Sequence, residues 1–319
     1  MSSNSSCSWP DQPGRCDAIL VTRRVTASLS IVGCLFVIGI ILLFRKYKFF
    51  VQRLILWLSL ASLCDAIAYA MGDVHERGDP FCIFQAFWMT YFDWSVLLWV
   101  SCICFNLFWN VIKFRKTNHL EGVYHVVCWA FPLLMACIPF SQGNTYGPAG
   151  VWCWISEGYD HMRFGVWYGP LFAILFIMIS VYIYIIIVIN KRAKMWTGTY
   201  DPEAERRKAL LKEDVKPLRI YPFVYLALNV FPLINRIQNA ASKGDKDNPI
   251  FALALLHALS SPLQGALNAI VFGLDKETVS KLNWVQFKAA LTRNRGDVKI
   301  YEPARKPVID ASDSSDSTN

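Results

Sequence analysis

Charge is scarce in this chain. Only 18% of its 319 residues are Asp, Glu, Lys or Arg, while 54% are hydrophobic. A soluble domain usually carries about 25% charged residues, so the first expectation is a membrane protein. Other absences narrow the class. No HExxH, GxSxG or P-loop pattern occurs, and the five histidines are scattered, which removes the usual signals of a metallohydrolase, a serine hydrolase or a nucleotide hydrolase. No metal, cofactor or catalytic residue is expected, and the chain is not read as an enzyme. The last apolar run contains no lysine, because Lys243 and Lys246 precede it; a retinal Schiff base therefore has no anchor. The first 18 residues, "MSSNSSCSWPDQPGRCDA", hold no apolar core, so no cleavable signal peptide is expected and the first helix becomes the targeting signal.

What the chain does have is long apolar runs. Seven segments, at 25–44, 54–72, 81–112, 123–140, 164–190, 220–240 and 249–274, are each able to cross ~30 Å of hydrocarbon at 1.5 Å per residue. Segments 2, 3 and 6 carry polar residues that lower a plain hydropathy score. Lys and Arg set the orientation. With the amino terminus outside, the inner connections 45–53, 113–122 and 191–219 and the tail after 274 hold four, three, nine and eight of the 32 basic residues. The expectation is an all-α, seven-transmembrane helix bundle: an outer amino terminus (1–24), a seven-helix domain (25–274) and an inner tail (275–319). The net charge of +8 follows from these inner loops facing anionic lipid, not from nucleic acid.

Ten cysteines sort by compartment. Cys34, Cys64, Cys102, Cys104, Cys128 and Cys137 fall within helices and read as small hydrophobes. Cys7, Cys16, Cys82 and Cys153 fall on the outer, oxidising side, enough for up to two disulfides. Pairing Cys7 with Cys16 and Cys82 with Cys153 is one solution; sequence alone leaves the other pairings open. Asn4 heads an outer sequon, Asn4-Ser5-Ser6, and is a glycosylation candidate.

Proline is missing from the first three segments, while the later ones carry Pro132, Pro139, Pro170, Pro222, Pro232 and Pro262. Either a movable half packs on a rigid one, or these are ordinary membrane-helix irregularities. Charges inside the bilayer are costly, so each is a candidate. Asp93 lies eleven residues past Cys82, ~16 Å down the third helix, where it can floor an outward-facing cavity or serve a neighbouring helix. Asp65 sits within segment 2. Arg236 and His257 near the outer ends of segments 6 and 7, and Trp152 and Trp154 flanking Cys153, complete the ligand-binding candidates. Snorkelling is the competing role for Arg236 and packing for His257. A charged helix starting at Asp201-Pro202 would extend segment 6 toward a cytosolic partner. After segment 7, Val279, Leu282, Val285, Phe287 and Leu291 among basic residues suit an amphipathic helix on the membrane surface. The Ser/Asp-rich end offers Ser312, Ser314, Ser315 and Ser317 as phosphorylation candidates.

A transporter would show repeats or matching broken helices; no convincing repeat is present. It remains the runner-up behind a receptor. Several short stretches in order, "CIFQ" (82–85), Trp99, "HVVCW" (125–129), "WCW" (152–154), "YP" (221–222), "INRI" (234–237) and "LNAIVFG" (267–273), resemble the cyclic-AMP-receptor-like G-protein-coupled receptors of slime moulds, with relatives in plants and animals. The resemblance covers about 25–275. It implies a Cys82–Cys153 disulfide from helix 3 to the second outer loop, a pocket for a small extracellular ligand at the outer face, and a heterotrimeric G protein as partner at the plasma membrane. The chain departs from the pattern at Ser62, where the family often has Asp. It departs again at "LFWNVIKF" (107–114), which lacks both the acidic–arginine pair of rhodopsin-like receptors and the arginine some relatives place near Trp109.

Overall fold

The computed structural model describes residues 12–71, 78–113, 117–143, 145–149, 152–156, 158–195, 218–241, 250–275, 278 and 283–294. Asn4, Cys7, the charged stretch 201–217, Lys243 and the tail serines lie outside them. The described chain is almost entirely helical. Six helices are long and apolar enough to cross a membrane: α1 (Gly14–Leu43), α2 (Phe50–Ala70), α3 (Pro80–Lys113), α4 (Asn118–Gln142), α5 (Asp160–Lys191) and α7 (Phe251–Gly273). Helix α6 (Ile220–Ala241) is 22 residues long, but its apolar stretch is the shorter Ile220–Asn235. The chain is a multi-pass helical membrane protein.

Two features differ from the sequence expectation. The first helix opens at Pro13, well before position 25. Pro13 is suited to a first turn because its missing N–H has no partner there anyway. Arg15, Asp17, Arg23 and Arg24 hide this part of the helix from a hydropathy count, yet Cys16 and Ile19 are buried and pack with Ala258, Phe251 and Leu255 of α7. Secondly, the stretch around Cys153 is not a plain loop. Tyr146–Pro148 (β1) and Cys153–Ile155 (β2) form an antiparallel hairpin, with Tyr146 opposite Ile155 and Pro148 opposite Cys153. Trp, Tyr and Ile favour the pleated backbone.

Helix α3 is the axis of the fold: 72% of its apolar window is buried inside the protein, against 17% for α5, which turns its Ile- and Phe-rich surface outward. Helices α1 to α3 run without interruption, whereas α4 and α5 carry π turns at Val126–Ala130 and Phe164–Tyr168 and α7 a 3-10 turn at Ser261–Leu263. Each π turn closes two residues before a proline, Pro132 or Pro170. A proline removes the N–H that would bond the carbonyl four residues back. For Pro170 that carbonyl is Val166 O, and the indole N–H of Trp94 on α3 donates to it at 3.2 Å. In α7, the Ser30 hydroxyl of α1 inserts into the ladder, donating to Pro262 O and accepting from Ala266 N–H at 3.1 Å. Close approach of the two backbones makes this possible. A Cβ on Gly265 would collide with Cys34 Sγ and come within 3.0 Å of Ser30 O, so only glycine fits.

Helix α8 (Trp284–Asn294) follows α7. Its Trp284, Val285 and Leu291 are exposed while Ala290 is buried. Val279, Leu282 and the Phe287 side chain lie outside the described residues.

Candidate functional site: a cavity under a disulfide-pinned hairpin

Cys153 in β2 is bonded to Cys82 in the first turn of α3, with their Cα atoms 5.3 Å apart. Both are fully buried. The bond lays the hairpin across the end of the helix bundle. Arg163 reinforces it, donating from Nε and Nη2 to Ile155 O at 2.9 and 2.7 Å and stacking over Trp154. The Tyr146 hydroxyl donates to Ala136 O at 2.9 Å. Cys16 is disulfide-bonded as well; its expected partner, Cys7, is outside the described residues. The six helix cysteines are free.

Beneath the hairpin is a cavity of about 80 Å³, several waters' worth where one water needs roughly 10–15 Å³. It admits a small molecule and excludes a folded partner. Every membrane helix except α4 contributes to its lining. Trp152 and Trp154 lie at the hairpin side. Asp93 and Met89 come from α3, Asp65 and Tyr69 from α2, Arg23 from α1, Trp167 and Phe172 from α5, Tyr225 and Asn229 from α6, and His257 and Gln264 from α7. The helical rise of α3 carries Asp93 from the pinned Cys82 down to the depth of this cavity, where the Tyr69 hydroxyl donates to its carboxylate at 3.4 Å. Asp65 faces the same space beside it. His257 is buried, its Nδ1 accepting from Asn235 Nδ2 at 2.9 Å and its ring meeting Trp152 edge-on.

Of the ligand-binding candidates, the cavity brings together Asp93, Trp152, Trp154 and His257. Arg236 falls on α6 one turn past Pro232, and its side chain is outside the described residues. The residue that sequence reasoning missed is Arg23. It reads as one of a pair of basic residues at a helix end, yet it is 1% exposed. Its Nε donates to Tyr69 O at 3.1 Å, and its guanidinium lies over the rings of Tyr69 and Trp152, 5.4 and 5.5 Å from their centroids. Spacing from Cys16 and Ile19 on the buried side of α1 (i, i+3, i+7) is the signal that could have found it.

The "HVVCW" stretch serves the opposite end of the bundle. The π turn turns His125 and Trp129 together toward Trp57 and Trp99. The Trp129 N–H donates to His125 Nδ1 at 3.2 Å, and the His125 ring stands edge-on to Trp57 and Trp99 at 4.8 and 5.2 Å. His125 is a packing residue here. At that end Arg53 forms a bidentate pair with Glu121, 2.6 and 2.7 Å, joining α2 to the start of α4. Among the described residues no group of three or more His, Cys, Asp and Glu could hold a metal.

A helical multi-pass protein with a disulfide-pinned lid over a small polar–aromatic cavity has the build of a receptor. The family of slime mold cyclic AMP receptors matches residues 15–277, and the chain belongs to that family. Cyclic AMP receptor-like protein A of Dictyostelium discoideum is 30% identical over 266 residues, covering 82% of this chain and 65% of that protein. G-protein coupled receptor 1 of Arabidopsis thaliana is 26% identical, covering 78% and 76%. Human G-protein coupled receptor 157 is 25% identical, covering 80% of each. The chain thus spans just under two thirds of the slime-mould relative. The names of these relatives and of the family are those of receptors.

Proposed function

We propose that this protein is a plasma-membrane receptor that passes an extracellular small-molecule signal to a heterotrimeric G protein. In this reading α6 also crosses the membrane, making seven spans, the amino terminus and hairpin face outside, and the basic connections and tail (275–319) face the cytosol. The cavity holding Asp93 under the hairpin is the observation that carries it: a ligand there touches α1, α2, α3, α5, α6 and α7 at once, and so shifts the population of bundle states seen at the far end. The Lys/Arg bias supports the orientation, since the hairpin sits at the end poor in basic residues. Asn4 is then an outer glycosylation site, Cys7 and Cys16 a second outer disulfide, and Ser312, Ser314, Ser315 and Ser317 cytosolic phosphorylation sites. Helix α8 lies on the inner membrane surface, its Trp284 and Val285 in contact with lipid.

The test is agonist-dependent nucleotide exchange on a panel of heterotrimeric G proteins by the membrane-inserted chain. Absence of exchange across a broad ligand panel sinks the reading, and substrate flux in proteoliposomes lacking G protein would replace it with a transporter. Asp93→Asn is expected to weaken the ligand response about tenfold or more, as loss of a charged hydrogen bond does, with surface expression unchanged. Parallel loss of expression and response would make Asp93 structural.

A further inference from the structure

The cavity sets Arg23 opposite a hydrogen-bonded carboxyl pair, Asp65 and Asp93. Arg23 is fixed by its Nε bond to Tyr69 O and by the Tyr69 and Trp152 rings on its plane. Those contacts leave Nη1 and Nη2, both buried, with no hydrogen-bond partner. Asp65 is 5% exposed and its side chain hydrogen-bonds to Asp93, while its buried Oδ1 has no partner. Both residues line the cavity and lie within electrostatic range of each other. A buried charge with unmet hydrogen-bonding capacity is among the most costly arrangements a membrane protein can carry. Here a positive fork and a carboxylate oxygen are left open toward one space.

We infer that the cavity is built for a small zwitterion of the amino-acid type, whose carboxylate meets the Arg23 fork and whose protonated amine meets Asp65. The two open guanidinium nitrogens match the two oxygens of one carboxylate. The ammonium supplies the donor that Asp65 Oδ1 lacks. An anion alone leaves Asp65 Oδ1 unmatched and adds negative charge beside the hydrogen-bonded Asp65–Asp93 pair; a doubly charged phosphate is worse on that count. A cation alone leaves the fork empty. Trp152, Trp167 and Phe172 give the ligand's side chain an apolar wall. The inference rests on the receptor reading for treating this cavity as the ligand site.

The test uses the full chain in lipid nanodiscs and needs no G protein. Thermal unfolding is followed with each of the twenty protein amino acids, its carboxamide, which lacks the carboxylate, and its N-acetyl derivative, which lacks the ammonium. At least one amino acid is expected to raise Tm and to bind about tenfold more tightly than either derivative. Arg23→Gln should erase the advantage over the carboxamide, and Asp65→Asn the advantage over the N-acetyl compound. Arg23→Lys keeps charge but loses the fork and should retain only part. If a variant does not fold, the wild-type comparison still decides. No shift with any amino acid, or a derivative binding as well as its parent, overturns the inference. Nucleotide exchange driven by another ligand class, without amino-acid binding, would sink this inference and leave the receptor reading standing. Amino-acid binding without exchange on any G protein would do the reverse.

Discussion

The first three helices and the later ones handle the backbone in different ways. On α1 to α3, six hydroxyls (Thr26, Ser28, Ser59, Thr90, Ser95 and Ser101) each donate to a carbonyl one turn back on their own helix. These six hydroxyls are satisfied on their own helices, and the ladders of this half are continuous. On α4, α5 and α7 the ladders change pitch beside Pro132, Pro170 and Pro262. Two of these breaks are repaired from the first half, by Trp94 at Val166 O and by Ser30 at Pro262 O and Ala266 N–H. In lipid no water can do that work. Two of the three helices broken beside an internal proline are therefore held by side chains of the half whose prolines stand only at helix starts.

The ties between the two halves can be broken at three points. The largest effect is expected for Cys153→Ser, which unpins the hairpin from α3. Loss of a native disulfide costs about 2–5 kcal/mol, read as a lower Tm of the detergent-purified protein and reduced cell-surface signal; an unchanged Tm would mean the hairpin is held by packing alone. Next is Trp94→Phe, which leaves Val166 O without its donor at a cost of about 1–3 kcal/mol. Adding Pro170→Ala restores a backbone N–H to the same carbonyl, so the double variant should recover part of the loss. If the two losses simply add, the indole bond is not what repairs the break. The smallest effect belongs to Arg53 and Glu121. Their side chains are 29% and 25% exposed, so a double-mutant cycle with Arg53→Gln and Glu121→Gln should give a coupling of about 1 kcal/mol or less. A larger value would make this pair a principal tie between α2 and α4.

Much of the architecture was legible in the sequence because a spanning helix must present about twenty apolar residues. Where the apolar run was diluted, the reading weakened for a stated reason. Arg15, Asp17, Arg23 and Arg24 masked the first turns of α1. The depth of Asp93 could be read from the helical rise alone, since α3 is unbroken from Cys82 down. The role of Arg23 could not. It depends on Tyr69 and Trp152, one helix and one hairpin away, converging on the same guanidinium. The hairpin itself was hidden, because its two strands are only three residues each and alternation over three residues carries no periodicity.

The sequence by itself determined the class of protein, its apolar runs, the setting apart of Cys7, Cys16, Cys82 and Cys153 from six cysteines inside those runs, and the series of short motifs shared with the slime mold cyclic AMP receptor family. All of these are local: composition, run length and residue order do not require knowing which helix lies beside which. Only the tertiary structure decided that Cys82 and Cys153 meet, that Trp94 and Ser30 answer the prolines of other helices, and that Arg23 and Asp65 open onto one cavity without bonding each other. The reason is that each of these outcomes is a distance between residues remote in the chain, and packing within a few ångströms, not hydropathy, sets whether two charges pair or wait for a third.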